Sequence, residues 1–282
     1  MSIAEAPQKK TKPDLNIIED ATCTFCGCVC DDITLSVDKA ENKIVKAQSA
    51  CVLGKAWFFN HHIEDRPEAT IEGKPVSYDE ALDKAAEILL NSKMEVTYGL
   101  SDTTCEAQRV AVAITDWIGG TVDTTTSVCH GPSGIAFQGV GEVTCTLGEI
   151  KNRADFLIYW GGNPAESHPR HFTKYSLMPK GEFVPNGRKD RYAVLVDVRK
   201  TKTAKAVDQH LQLKPKSDFE LAWSLRLIAK GIDPDPSVEE KTGISIETMK
   251  EMMDRMKQAK FGAILFGMGL TMTRGKHLNS EA

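Results

Sequence analysis

The sequence predicts an α/β protein: a small, β-rich, cysteine-bearing unit at the N-terminus, followed by α/β domains built on parallel sheets. Three observations carry that reading. Four cysteines fall within eight residues, in CTFCGCVC at 23–30. Two short alternating runs around a polar turn follow them. From residue 77 onward, short apolar runs alternate with segments of helical periodicity, and strands covered on both faces are the ones that read as continuous apolar runs.

In chain order, residues 1–18 are polar, rich in Lys and Pro and without periodicity, and are expected to form a flexible tail. ITLSV at 33–37 and KIVKA at 43–47 flank the polar DKAEN, the punctuation of a β-hairpin. Residues 19–75 are therefore expected to form the cysteine-bearing domain and 76–282 the α/β region. Ser77 and Glu80 make a capping box for a helix that places Ala81, Leu82, Ala85, Ala86 and Leu89 on one face. A strand in MEVTYGL, a helix over 104–118 closed by Gly119-Gly120, and the strand FLIYW at 156–160 come next. The pattern continues with a helix near 168–177, the strand YAVLVDV at 192–198, a short helix at 203–208 and the strand HLQLK. Helices over 218–230 and 246–257 precede the strand GAILFG. The strands at 156–160, 192–197 and 262–266 are expected to be buried, with their carboxyl ends opening on one cleft. No internal repeat at a fixed period and no low-complexity tract is present. The chain closes on Asn279-Ser280-Glu281, residue types that open helices, from which a chain cut short at its C-terminus is expected.

Composition narrows the function classes. With 282 residues, 41% of them hydrophobic and 26% charged, a sizeable core is within reach. A formal net charge of -4 supplies no basic stripe for a phosphate backbone, so nucleic acid is not an expected partner. The N-terminus lacks the apolar run of a signal peptide, and no segment approaches the roughly 20 apolar residues that span a bilayer. A cytoplasmic protein without membrane attachment is expected. In that reducing compartment, clustered cysteines are metal ligands or redox groups more often than structural disulfides.

Cys23, Cys26 and Cys30 make C-x2-C-x3-C, and Cys51 follows after twenty residues. Four thiolates from two loops suit an iron-sulfur cluster or a structural zinc. A zinc ribbon usually shows a second C-x2-C knuckle, which is lacking here, so the spacing leans toward iron and sulfur and leaves zinc open. Cys28 is the spare thiol. Gly161-Gly162-Asn163 follows directly on an expected strand, where ligands bind in open α/β sheets and where glycine lets a backbone come close to a pyrophosphate. Gly267, Gly269 and Thr271 repeat that strand-then-glycine arrangement. His168 and His171 have helical i, i+3 spacing, but no third ligand accompanies them, so they are read as structural or substrate-facing.

The cysteine spacing, with Gly54-Lys55 placed just after Cys51, resembles the N-terminal cluster domain of the molybdenum/tungsten bis-pterin oxidoreductases, which include formate dehydrogenases. TSVCHGPSG at 126–134, LGEIKNRADFLIYWGGNPAESHPRH at 147–171 and VLVDVRKTKTAKAVDQHLQL at 194–213 resemble the B subunits of formylmethanofuran dehydrogenases within that family. The resemblance implies a 4Fe-4S cluster on Cys23, Cys26, Cys30 and Cys51, with Lys55 between cluster and pterin. Cys129 would be the protein ligand to tungsten or molybdenum, and His130 a proton relay. Gly161, Gly162, Asn163, Gly267, Gly269 and Thr271 would contact a bis-pterin guanine dinucleotide whose guanosine end is held by Asp197, Arg199 and Thr201. The implied activity interconverts carbon dioxide and formate, and a partner subunit of the complex couples the formate to methanofuran. A second implication comes from bacterial formyltransferase/hydrolase complexes, in which a similar subunit is a scaffold without redox chemistry. Retention of the four cysteines and of Cys129-His130 favours redox competence; the short length favours a scaffold or fragment. Family members run on past the span matched here, so an incomplete cleft with apolar surface exposed near the C-terminus is expected.

Overall fold

The computed structural model describes residues 14–60, 67–101 and 103–282. The chain divides into two compact units: Met1–Arg66 with His168–Arg170, and Pro67–Ser167 with His171–Ala282.

In the first unit, β1 (Leu15–Ala21), β2 (Ile33–Asp38) and β3 (Lys43–Gln48) form an antiparallel sheet in the order β1-β2-β3. The hairpin lies where the alternation put it. Of the tail expected over 1–18, residues 1–13 lie outside the described residues, but residues 15–18 are strand. Leu15, Ile17 and Ile18 are exposed, so β1 is held by its backbone ladder to β2 and not by a buried face, which is why no apolar period announced it. Helix α1 (Val52–Phe59) follows Cys51. Among the described residues of this unit, the buried apolar ones are Ile33, Leu35, Ala47 and Phe58 beside Cys23, Cys28 and Cys30.

The second unit starts at Pro67, so the hairpin β4 (Ala69–Ile71) and β5 (Lys74–Val76) belongs to it. Ser77 caps α2 (Tyr78–Asn91), its hydroxyl accepting from the Glu80 N–H at 3.3 Å. A parallel pair, β6 (Val96–Gly99) and β7 (Thr121–Thr124), brackets α3 (Cys105–Ile118), which ends on left-handed Gly119. This two-stranded sheet is too small to cover its helices, and Leu82, Ile88 and Leu90 of α2 stay exposed. Two helices the periodicity did not signal follow, α4 (Thr125–Cys129) and α5 (Gly131–Val140), then α6 (Leu147–Arg153) with a Thr146/Glu149 capping box.

The main sheet is parallel: β8 (Phe156–Trp160), β9 (Tyr192–Asp197), β10 (Gln209–Gln212) and β11 (Gly262–Phe266), in the order β10-β9-β8-β11. Counted by first appearance this is 3-2-1-4, the opening of a doubly wound sheet, and its direction reverses between β8 and β11. Helices α8 (Asp218–Ala229), α9 (Ser237–Thr242) and α10 (Ile246–Gln258) cover one face, meeting Ile158, Trp160, Val194 and Val196. On the other face Ile150, Phe172 and Leu177 meet Leu157, Tyr159 and Leu195. Each such side chain contributes about 1.5–3 kcal/mol on burial. Tyr159 donates to Ser176 Oγ at 2.7 Å, and burial pushes its hydroxyl up to about 12, so it stays protonated.

Three expectations need correction. The helix near 168–177 is shorter than expected: only a π-helical turn at His171–Tyr175 forms there, separate from α7 (Pro164–Ser167), because Pro169 supplies no N–H to a helix running on from α7. Strand β11 is not fully buried, since it forms the edge of the sheet; Ile264 is 50% and Phe266 45% exposed. Nor are Asn279 and Ser280 helix starters without a helix. After α11 (Met268–Thr271) they lie inside α12 (His277–Glu281), and the buried Asn279 amide donates to the Leu270 carbonyl at 2.7 Å. Met268, Met272 and Leu278 are exposed, and an open cavity of about 860 Å³ runs beside β11 between Phe137, Leu225, Ile264 and Phe266. Among the described residues, no helix is long and apolar enough to cross a membrane.

Candidate functional site

The cysteines of the first unit converge because their loop closes on itself. The Cys23 N–H donates to the Cys30 carbonyl at 2.8 Å and the Val29 N–H to the Cys26 carbonyl at 3.1 Å. Val29 is held at φ 40, a region that β-branched residues rarely enter and that costs about 1–3 kcal/mol. Cys51 is the N-cap of α1, its sulfur accepting from the Gly54 N–H at 3.4 Å. Gly54 is buried, and a Cβ on it would lie 3.2 Å from Cys23 Sγ and 3.8 Å from Cys51 Sγ, so glycine lets the two loops meet. Cys23, Cys26, Cys30 and Cys51 line one cavity with Cys28 and Arg170. Burial, followed by the neighbouring Cys26, Cys30 and Cys51, pushes the Cys28 thiol up to about 12.

Among the described residues, no group of three or more His, Cys, Asp or Glu side chains is arranged to hold a metal ion. A single zinc needs its donors converging on one point at about 2.3 Å, whereas each thiolate of an iron-sulfur cluster binds a different iron. The four thiols share one cavity, and their donor chemistry suits either group. Lys55 is exposed and sits in the first turn of α1 rather than on a loop, its N–H donating to the Cys51 carbonyl at 2.8 Å.

In the second unit, the carboxyl ends of β8 and β11 meet through glycine backbone. The Gly267 N–H donates to the Trp160 carbonyl and the Gly269 N–H to the Gly161 carbonyl, both at 3.0 Å. Gly161 has φ 58, and a Cβ there would lie 2.5 Å from Gly269 backbone; Cβ atoms on Gly267 and Gly269 would come within 2.8 and 2.5 Å of the Gly161 carbonyl oxygen. Close packing of two turns thus accounts for these three glycines. Gly162 is different, since a Cβ placed on it would meet its nearest neighbour only at 3.7 Å. Gly161→Ala is expected to cost about 2–5 kcal/mol through strain and overlap. Gly162→Ala should leave stability within about 0.5 kcal/mol; denaturant unfolding of the two variants separates a packing glycine from one that leaves room for a ligand.

Asn163 is committed within the protein, its Oδ1 accepting from Thr203 Oγ1 at 2.9 Å. Asp197, at the end of β9, accepts from the Arg199 N–H at 3.0 Å, and the Arg199 side chain is exposed. Thr201 is buried with its hydroxyl lacking any hydrogen-bond partner, an orphaned polar atom that a nucleotide oxygen would satisfy. Thr271 is buried at 2% exposure. Cys129 and His130 are exposed where α4 meets α5, and α4 packs on β7 and α5. Cys129 is thus the last residue of a short helix, and its assignment as a metal ligand rests on its sequence motif, not on a convergence of side chains. The two histidines are separated: His171 is buried with Nδ1 2.9 Å from Ser176 Oγ, while His168 belongs to the first unit.

Asp218 escaped the sequence reading, where it was an ordinary acid at a helix start. Only 3% exposed, it accepts from Trp160 Nε1 at 2.9 Å and from Thr273 Oγ1 at 3.1 Å, tying the end of β8 to the turn after α11. Burial raises its pKa, outweighing the two hydrogen bonds. The sign follows from linkage: a folded-state pKa above the unfolded value of about 3.9 gives stability that is complete below that value and is lost as pH rises through the raised one. Asp218→Asn should remove that slope, and Asp218→Ala should cost about 1–3 kcal/mol by stranding the buried indole N–H. Urea unfolding across acidic to neutral pH reads both.

No family model matches the chain. Over 270 residues it is 41% identical to the B subunit of the tungsten-containing formylmethanofuran dehydrogenase 2 of Methanococcus maripaludis, covering 93% of this chain and 61% of that protein. The chain belongs to the family of formylmethanofuran dehydrogenase B subunits. A Methanocaldococcus jannaschii protein of the same description is 39% identical over 276 residues, covering 95% of this chain and 62% of its own length. This B-subunit homologue therefore spans about three fifths of the length of the curated relatives it matches. Formate dehydrogenase H of Escherichia coli is 29% identical over 307 residues, covering 88% of this chain and 41% of that one, which sets the B-subunit family among the molybdopterin oxidoreductases. The fold is shared with acetylene hydratase from Pelobacter acetylenicus, with a TM-score of 0.68 at 16% identity over 94% of this chain and 42% of that one. A formyltransferase/hydrolase complex from Methylorubrum extorquens gives 0.53 at 19% identity, over 73% and 52% respectively.

Proposed function

We propose that this chain acts as a B subunit of a formylmethanofuran dehydrogenase, interconverting carbon dioxide and formate. The observation that carries the reading is the 41% identity with a protein of that description over 93% of the chain, and the thiol-lined cavity and the glycine-bearing crevice at the switch of the sheet support it. Cys23, Cys26, Cys30 and Cys51 would hold a 4Fe-4S cluster. A tungsten or molybdenum bis-pterin guanine dinucleotide, when bound, would supply the two-electron chemistry at carbon.

The chain's own residues have distinct tasks in this reading. The Cys129 thiolate is a soft donor suited to that metal. The His130 imidazole takes the proton released when formate, losing two electrons, becomes carbon dioxide, and returns it in the reverse direction. Gly162 leaves room for a pyrophosphate, and Gly161, Gly267 and Gly269 hold the two strand ends around it. Asn163 and Thr271 brace those turns from within the protein. Asp197 accepts guanosine hydrogens, the exposed Arg199 guanidinium answers phosphate, and Thr201 offers its unsatisfied hydroxyl. Lys55 places an ammonium group one residue beyond Gly54 of the cluster cavity, along the expected electron route. Formate would pass to a partner subunit for coupling to methanofuran, so the functional unit is a complex.

The scaffold alternative gains less support: its relative is 19% identical, against 41% and 39% for the dehydrogenase subunits. Dye-linked formate oxidation by the anaerobically purified complex separates the two. Formate-dependent dye reduction is the result expected here; formyl transfer without any dye reduction would establish the scaffold.

A further inference from the structure

Arg170 is 138 positions from Asp32 in sequence, yet it belongs to the first unit and lines the cysteine cavity. Its guanidinium forks onto one carboxylate: Nη1 donates to Asp32 Oδ1 at 2.6 Å and Nη2 to Oδ2 at 2.5 Å. It lines the same cavity as Cys30. The Arg170 side chain is 18% exposed, that of Asp32 46%. The arrangement is a permanent cation, aimed by a carboxylate, against a cysteine of the thiol cavity.

We propose that Arg170, oriented by Asp32, is a positioning residue that raises the reduction potential of the cluster held by Cys23, Cys26, Cys30 and Cys51. The inference rests on the cluster reading above. A cluster on four thiolates becomes more negative when it gains an electron, and its potential follows net charge, hydrogen bonds to sulfur and solvent exposure. A cation on the lining of a poorly solvated thiol cavity stabilises the reduced form. Guanidinium keeps its proton at every accessible pH, so the effect is constant and not a switch. Asp32 does not line the cavity and is the more exposed partner, so its opposing charge is felt less. It holds the planar fork in place, a geometry that lysine cannot reproduce.

The test is a dithionite titration of the full chain, purified anaerobically, with the cluster followed by electron paramagnetic resonance. In Arg170→Gln the reduced-to-oxidised ratio at a fixed ambient potential should fall about tenfold, equivalent to about 59 mV for one electron. Asp32→Asn, which frees the fork, should lower the ratio by less than Arg170→Gln does, the double variant should match Arg170→Gln, and Arg170→Lys should recover part of the loss. Iron and sulfide content should be native in all four. Loss of the cluster from Arg170→Gln, an unchanged ratio in it, or a raised ratio in Asp32→Asn would each overturn the inference while leaving the cluster reading intact. A native chain without iron and sulfide would sink the cluster reading first, and this inference with it.

Discussion

Cys129→Ser should abolish carbon dioxide/formate turnover in the assembled enzyme and leave assembly intact. A serine alkoxide is harder and far more basic than a thiolate, so it would tune a tungsten or molybdenum centre poorly even where it coordinates. The fold loses little, because Cys129 is exposed at the end of α4 and the substitution removes no buried group. His130→Ala should act differently, slowing turnover by about 100-fold to 10,000-fold, the range for a removed acid-base group, with the metal retained. Activity and metal content measured side by side in the purified complex distinguish these effects. Near-normal formate turnover in Cys129→Ser would make the thiol a surface residue and turn the account toward a scaffold.

Replacing Cys26 by alanine is expected to empty the cluster site and unfold the first unit while the second stays folded. The asymmetry follows from the two cores. Ile33, Leu35, Ala47 and Phe58 make a small apolar core beside the buried cysteines, and a unit of that size leans on its metal for stability. The second unit has continuous apolar layers on both faces of the main sheet. Hydrogen exchange should therefore show β2 and β3 losing protection in Cys26→Ala, with β8 and β9 unaffected. Retained protection in β2 and β3 of a cluster-free variant would mean that the unit folds without its metal.

Much of this architecture was legible because its signals are local. FLIYW and GAILF read as apolar runs between breakers, and Ser77 with Glu80 announced α2. The cysteine spacing pointed to the thiol cavity for a similar reason, since three of the four cysteines lie within one tight loop. What escaped was set by distant partners. Strand β1 depends on pairing with β2, the edge position of β11 depends on sheet order, and Asp218 gains its role only beside Trp160. The glycines illustrate both cases: their place after strands was readable, but the contact between Gly161 and Gly269 that makes them packing residues was not. Of the helix expected near 168–177, only the π-helical turn at His171–Tyr175 forms, and His171 gains its Ser176 partner within that turn.

One chain is expected to carry both an iron-sulfur cluster and the binding surface for a metal-pterin cofactor. The most direct test is elemental and cofactor analysis of the complex purified without oxygen. The account predicts about four iron and four sulfide for this subunit's cluster, lost on Cys26→Ala, together with tungsten or molybdenum and guanine-containing pterin. Zinc at one equivalent with no sulfide lost on Cys26→Ala, and no pterin in the complex, would contradict it.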